Sequence, residues 1–317
     1  MNVDTLRISV TDRCNLRCIY CNPLGLHGHT DPAGILGFDE ICRVVRVGVE
    51  CGIRRVRLTG GEPLMREGIT DLVGRLAAIG GVEDLALTTN GVLLERMAGG
   101  LREAGLRRVN ISLDAAQASC YREMTGSDLL LRVMAGLHKA LEVGLTPVRI
   151  NCVVMKDVNL SQVLALAEMT VQLPVSVRFI EYCPTTRSTG PASCSVPSRE
   201  VRRLIEGRFG PMAGVVQSEA GGPAVYFRIA GAEGAIGFIS GRTSMFCHRC
   251  NRLRLTSDGR IKPCLHAGRS YDVRILLQDG ADDEALRSLI ARVIREKGQH
   301  TRLNSSAGDF LMQSIGG

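Results

Sequence analysis

Tryptophan is absent from this sequence, and aromatic residues make up only 4% of its 317 positions. A chain so poor in rings has few stacking platforms for single-stranded nucleic acid, which argues against that class of partner. No run of about 18 uncharged apolar residues occurs, so no membrane-spanning helix is expected. The opening MNVDTLRISV has no cationic stretch followed by a long apolar one, which predicts no signal peptide and a cytoplasmic protein. In that reducing compartment the twelve cysteines do not read as a disulfide framework. Cys42, Cys51, Cys120, Cys152, Cys183 and Cys194 are scattered and suit small buried hydrophobes. The remaining six fall in two close groups and need a metal-type explanation.

What is present is enough apolar residue, 45%, for a sizeable core in one large α/β domain or two smaller ones. The net charge of +7 is moderate and spread along the chain. It reads either as a basic surface or as a cavity for an anion, the latter only if the arginines converge. Short β-rich runs (6–10, 55–59, 85–89, 108–113, 148–154 and 176–181) alternate with amphipathic helical patterns. One such helix carries Leu130, Val133, Met134, Leu137 and Leu141, and another Phe38, Ile41, Val45 and Val49. Alternating strand and helix implies βαβ units and a parallel sheet, either an open partial barrel or a doubly wound sheet. From about residue 183 the chain turns rich in Pro, Ser, Thr and Gly, which suggests a division into regions 1–182 and 183–317. Beyond it come a helix at 199–207, hairpin-like segments near 221–222 and 231–234, and a final helix over 282–297.

The most specific pattern is Cys14-Asn-Leu-Arg-Cys18-Ile-Tyr-Cys21, directly after the first strand. A loop can wrap three such thiolates around a [4Fe–4S] cubane, which would leave one of its irons open. A structural zinc ion would want a fourth ligand nearby, and the nearest histidines are His27 and His29. Gly60-Gly61-Glu62-Pro63, Thr88-Thr89-Asn90-Gly91 and Asn110-Ile111-Ser112-Leu113-Asp114 follow or end the next three strands. Those are C-terminal strand ends, where barrel-type sheets put their sites. Together these segments resemble the radical S-adenosylmethionine (SAM) superfamily. The resemblance implies a cluster on Cys14, Cys18 and Cys21 that reductively cleaves SAM, with Tyr20, Gly61, Glu62, Thr88 and Ser112 contacting SAM.

A second triad, Cys247, Cys250 and Cys264, again leaves an open position, although His248 or His266 would complete a zinc site. Between its members, Arg252 and Arg254 share one face of an alternating strand. Arg7, Arg55, Arg57, Arg149 and Arg178 lie in other strands. Guanidinium forks pair bidentately with phosphate oxygens, and basic groups inside a barrel are costly unless an anion meets them.

LRISVTDRCNLRCIYC, RLTGGEPLMR, RFIEY, CNRLRLTSDGRIKPCL and the terminal Gly316-Gly317 are together similar to the GTP-cyclising radical SAM enzymes of molybdenum cofactor biosynthesis. That closer resemblance implies an incomplete (βα)6 barrel and a C-terminal region with a second [4Fe–4S] cluster that meets GTP. It implies phosphates held by Arg7, Arg55, Arg57, Arg149, Arg178, Arg252 and Arg254, and catalytic parts for Arg252, Arg254, Gly316 and Gly317. Hydrogen abstraction at ribose C3′ and attack on guanine C8 would give 3′,8-cyclo-7,8-dihydro-GTP. A low-potential electron donor and a downstream pterin-forming enzyme would be partners, and a homodimer is compatible. Asn22, Arg55, Arg149 and Cys183 depart from the commonest family residues. The alternatives are a peptide-maturing radical SAM enzyme with an auxiliary cluster, or a metal-binding regulator using the cysteines as clips.

Overall fold

The computed structural model describes residues 3–22, 31, 34–184, 192–215, 222–278 and 282–297. The chain opens on β1 (Thr5–Ser9), followed by α1 (Phe38–Glu50) and β2 (Arg55–Thr59). Then come α2 (Ile69–Ala77), β3 (Asp84–Thr89), α3 (Leu94–Glu103) and β4 (Arg108–Ser112). Next are α4 (Ala118–Thr125), α5 (Leu130–Glu142), β5 (Val148–Val154), α6 (Lys156–Asn159), α7 (Val163–Gln172) and β6 (Val175–Glu181). The six strands run parallel and pair in chain order. Each expected strand falls within one or two residues of its observed place, because period-2 patterning and flanking turn residues are local signals.

The second region does not stand apart. After α8 (Ser198–Phe209), a small hairpin ladder of β7 (Ala213–Val215), β8 (Val225–Arg228) and β9 (Ala235–Ile239) joins the sheet, β9 pairing parallel with β6. β10 (Arg252–Leu255) pairs parallel with β1 at the opposite edge, and carries β11 (Arg260–Lys262) and β12 (Tyr271–Asp272). The result is one sheet in the order β12-β11-β10-β1-β2-β3-β4-β5-β6-β9-β8-β7. It is an incomplete (βα)6 barrel extended on both sides. α9 (Arg274–Gln278) and α10 (Asp283–Lys297) close the described chain. The Asp283 carboxylate accepts from Arg43 at 2.7 Å, which ties α10 to α1.

Alternation sorts the two faces of the sheet. Leu6, Ile8, Val56, Leu58, Leu85, Leu87, Val109 and Ile111 alternate onto one face, where the apolar sides of the helices cover them. Each such side chain contributes about 1.5–3 kcal/mol on burial. The other face carries Arg7 between Arg57 and Arg254, and Thr5 between Arg55 and Arg252, in direct register. Arg108, Asn110, Arg149, Asn151 and Arg178 continue this polar face across β4, β5 and β6. A barrel interior is ordinarily filled by branched apolar residues; this one is filled by cations.

Candidate active site: two cysteine triads and an arginine-lined cavity

Cys14, Cys18 and Cys21 lie on the loop leaving the C-terminal end of β1. Cys21 N donates to the Cys18 carbonyl at 2.9 Å, and Asn22 N to the same oxygen at 3.0 Å, which curls the loop into a tight turn. Burial pushes the Cys14 thiol up to about 11. Burial raises Cys18 as well, and the neighbouring Asp114, Cys21 and Cys14 oppose its ionisation further. Three thiols near enough to repel as anions fit a cationic cluster that would take them as thiolates. Among the described residues no group of three His, Cys, Asp or Glu side chains is spaced to hold one metal ion. A cubane makes a looser demand, since each thiolate goes to a different iron.

The glycine turn packs against this loop. Gly61 N donates to the Thr11 carbonyl and Glu62 N to the Arg13 carbonyl, both at 2.7 Å. A Cβ on Gly61 would stand 2.3 Å from the Arg13 oxygen, so no larger residue fits. The Glu62 carboxylate is fully buried and accepts from Leu64 N at 3.0 Å, Thr89 Oγ1 at 2.7 Å and Asn90 N at 2.7 Å. Burial raises its pKa to about 7 against the pull of those three donors. Glu62 clamps the glycine turn to the end of β3. Asn90 then reaches back, its Nδ2 2.7 Å from Asn15 Oδ1 and 3.9 Å from Cys14 Sγ.

Tyr20 and Ser112 come to the same end of the barrel. The Tyr20 hydroxyl donates to Asp114 Oδ2 at 2.7 Å, and Val153 N donates to Oδ1 at 2.7 Å. Burial lifts Asp114 to about 6 despite these bonds. Asp114 had been part of a strand-end motif without a role; it orients the tyrosine. Thr88 and Ser112 are half-buried on the polar face, and Thr88 Oγ1 accepts from Asn110 Nδ2 at 3.4 Å.

The arginines gather toward the other end. An open cavity of about 520 Å³ is lined by Thr5, Arg55, Arg57, Asp84, Arg108, Arg149, Arg178, Arg252 and Tyr226, among others. Most of these stand at N-terminal strand ends. Burial lowers Arg7 well below the usual guanidinium range, and Arg254, Arg57, Arg252 and Arg178 lower it further. Arg57 is lowered likewise by burial, then by Arg108, Arg178, Arg149 and Arg252. Its Nε is buried with no hydrogen-bond partner among the described residues. Arg254 falls to about 10 for the same reasons, burial first and Arg252 next. Arg178 also falls to about 10 through burial, although Tyr226 counters it; its guanidinium donates to Asn151 and Asn110 at 2.8 Å each. On β9, a Cβ at Gly237 would meet both Arg178 and Tyr226 at 3.0 Å, so glycine makes room for the pair.

Two acids temper the cluster, and neither was anticipated. Asp84 accepts a bidentate pair from Arg108, with Nε at 2.9 Å, and Asp4 lies 3.3 Å from Arg55. Arg108 itself was missed as a site residue although its position on β4, in register with Ala86 of the polar face, marked it.

Cys250 of the second triad lines an adjoining pocket that shares Gly222, Pro223 and Arg252 with the arginine-lined cavity. Cys247 and Cys250 precede β10 and Cys264 follows the antiparallel β11, which brings both segments to one end of the sheet. Cys250 N donates to the Cys247 carbonyl at 3.2 Å. Burial raises Cys250, but Arg252 and Lys297 together bring it down to about 7. Arg252 also lies over the Phe246 ring at 5.4 Å. Gly316 and Gly317 lie outside the described residues.

Two cysteine triads at opposite ends of an open, cation-filled α/β barrel define a radical SAM architecture. The radical SAM superfamily model matches residues 8–170, and the model for Molybdenum Cofactor Synthesis C matches residues 175–303. The GTP 3′,8-cyclase of Pelotomaculum thermopropionicum is 43% identical over 317 residues, covering 99% of this chain and 98% of that protein. The GTP 3′,8-cyclase of Thermodesulfovibrio yellowstonii is 42% identical, covering 94% of this chain and 92% of its own length. Among solved structures, Streptococcus suis SuiB bound to S-adenosylmethionine superposes with a TM-score of 0.62 at 17% identity, over 91% of this chain and 68% of that one. That last likeness is one of fold. The chain belongs to the GTP 3′,8-cyclase family of radical SAM enzymes.

Proposed function

We propose that this protein converts GTP to 3′,8-cyclo-7,8-dihydro-GTP, the first step of molybdenum cofactor biosynthesis, with its two chemistries held at opposite ends of one barrel. The observation that carries the reading is the crowd of buried arginines, with Arg57 lacking a partner at Nε, beside one cysteine triad and across the sheet from the other. Strands of about five residues at roughly 3.3 Å each separate the two ends by about 16 Å, a span suited to an elongated ligand. A triphosphate is the anion that such a cluster suits, because each guanidinium fork can take two phosphate oxygens.

Arg7, Arg57, Arg149, Arg178, Arg252 and Arg254 would hold the phosphates, and Arg55 would share in this while partly neutralised by Asp4. Arg108, locked by Asp84, would present its remaining Nη1, which is buried without a partner among the described residues. Cys14, Cys18 and Cys21 would hold the cluster that, when bound, supplies the electron for SAM cleavage and so the radical that takes hydrogen from ribose C3′. Tyr20, Gly61, Glu62, Thr88 and Ser112 would line the SAM side, with Gly61 and Glu62 also keeping the cluster loop at its fixed distance. Cys247, Cys250 and Cys264 would hold the second cluster next to the base. A low-potential electron donor is required. Anaerobic incubation of reconstituted protein with reductant, SAM and GTP, read by mass spectrometry, should give 5′-deoxyadenosine together with the cyclised nucleotide. Deoxyadenosine formation that is indifferent to GTP, with GTP returned unchanged, would overturn the assignment.

A further inference from the structure

Lys297, at the end of α10, is only 4% exposed. Its Nζ donates to the Pro263 carbonyl at 2.7 Å and lies 3.5 Å from Cys250 Sγ. Pro263 directly precedes Cys264, so one ammonium bridges the two chain segments that carry the second triad. A buried lysine is costly unless something compensates its charge. Among the described residues no carboxylate is bonded to Lys297. The partners it does have are a carbonyl dipole and a sulfur. A charge-assisted bond to an anionic sulfur makes that burial favourable. A cubane held by three thiolates carries net negative charge in both oxidation states, and more after reduction. Hydrogen bonds to ligand sulfurs and local charge are the terms by which a protein sets such a cluster's potential.

We propose that Lys297 is a positioning residue for the second triad: its ammonium fastens Cys250 to the Pro263–Cys264 segment and raises the reduction potential of the cluster held there. The inference rests on reading that triad as a cluster site. The surrounding charges sharpen it. Arg252 stands on the substrate side of Cys250, where a bound triphosphate would engage it, whereas Lys297 approaches from α10, outside the cavity lining. Its charge therefore stays with the cluster whether or not substrate is present.

The test uses the full chain with Cys14, Cys18 and Cys21 replaced by serine, reconstituted anaerobically so that only the second triad can hold iron. With Lys297 intact it should hold about four irons; if it holds none, the cluster reading falls and this inference with it. K297M keeps the length of the side chain and removes the charge. It should retain iron while the midpoint potential, from a redox titration followed by electron paramagnetic resonance, moves negative. K297R should restore a potential near that of the parent. Retained iron with an unmoved potential in K297M would refute the proposal. If K297M loses its iron, K297R decides: iron and potential restored by arginine support a required cation, whereas loss in both variants assigns Lys297 to packing alone.

Discussion

Replacing Arg57 by methionine should weaken GTP binding and strengthen the empty protein, two effects of opposite sign from one substitution. Arg57 is half-buried, its Nε is buried with no partner among the described residues, and Arg108, Arg178, Arg149 and Arg252 all disfavour its charge. Without ligand, that cation is a net cost to folding, so removing it at nearly constant volume should raise stability by on the order of 1 kcal/mol. With GTP bound, the same cation would make a charge-assisted contact worth about 1.5–3 kcal/mol, or about a 10- to 150-fold change in Kd. Anaerobic calorimetry of GTP binding and urea unfolding of the ligand-free protein measure the two quantities separately. GTP binding as tight as in the unmodified protein would refute the phosphate assignment, and a ligand-free R57M less stable by more than about 1 kcal/mol would refute the electrostatic argument.

Cys14→Ala should abolish SAM cleavage, whereas Cys264→Ala should lose cyclisation but keep some uncoupled cleavage; iron analysis should show about four of eight irons lost in each. Gly61→Ala forces a Cβ against the Arg13 carbonyl at 2.3 Å, so the cluster loop must shift, and the first cluster's resonance signal should fall while the second persists. Burial raises the pKa of folded Glu62 to about 7, above the ordinary carboxyl value of about 4.5. Its contribution to stability is therefore full below about pH 4.5 and is lost as pH rises through about 7, amounting to about 3 kcal/mol. Asp114, raised to about 6, acts with the same sign in an overlapping window. Unfolding free energies across that range should fall less steeply in Glu62→Gln; an unchanged slope would mean that burial does not govern this carboxyl. Deleting Gly316 and Gly317 should leave cluster content and GTP affinity nearly intact while cyclisation falls sharply under single-turnover conditions.

The sequence by itself determined the strands, the cysteine triads and which arginines share a face. Each of these rests on spacing within a few residues: two for the pleat that aligns Arg55 with Arg57 and Arg252 with Arg254, three and four for the first cysteine loop. Tertiary structure alone decided that the region after residue 183 would supply a strand to each edge of the barrel sheet. Pairing β10 to β1 joins residues nearly 250 positions apart, and no local pattern encodes the partner of a distant edge. The same long-range pairing set the two triads at opposite ends of the sheet and aligned Arg7 with Arg57 and Arg254. Tertiary packing also matched Arg108 to Asp84, tied Glu62 to the end of β3, and brought Lys297 from the last helix to the sulfur of Cys250. A buried charge is legible in sequence only as a charge; whether it meets an acid, a sulfur or an empty cavity depends on which elements pack around it.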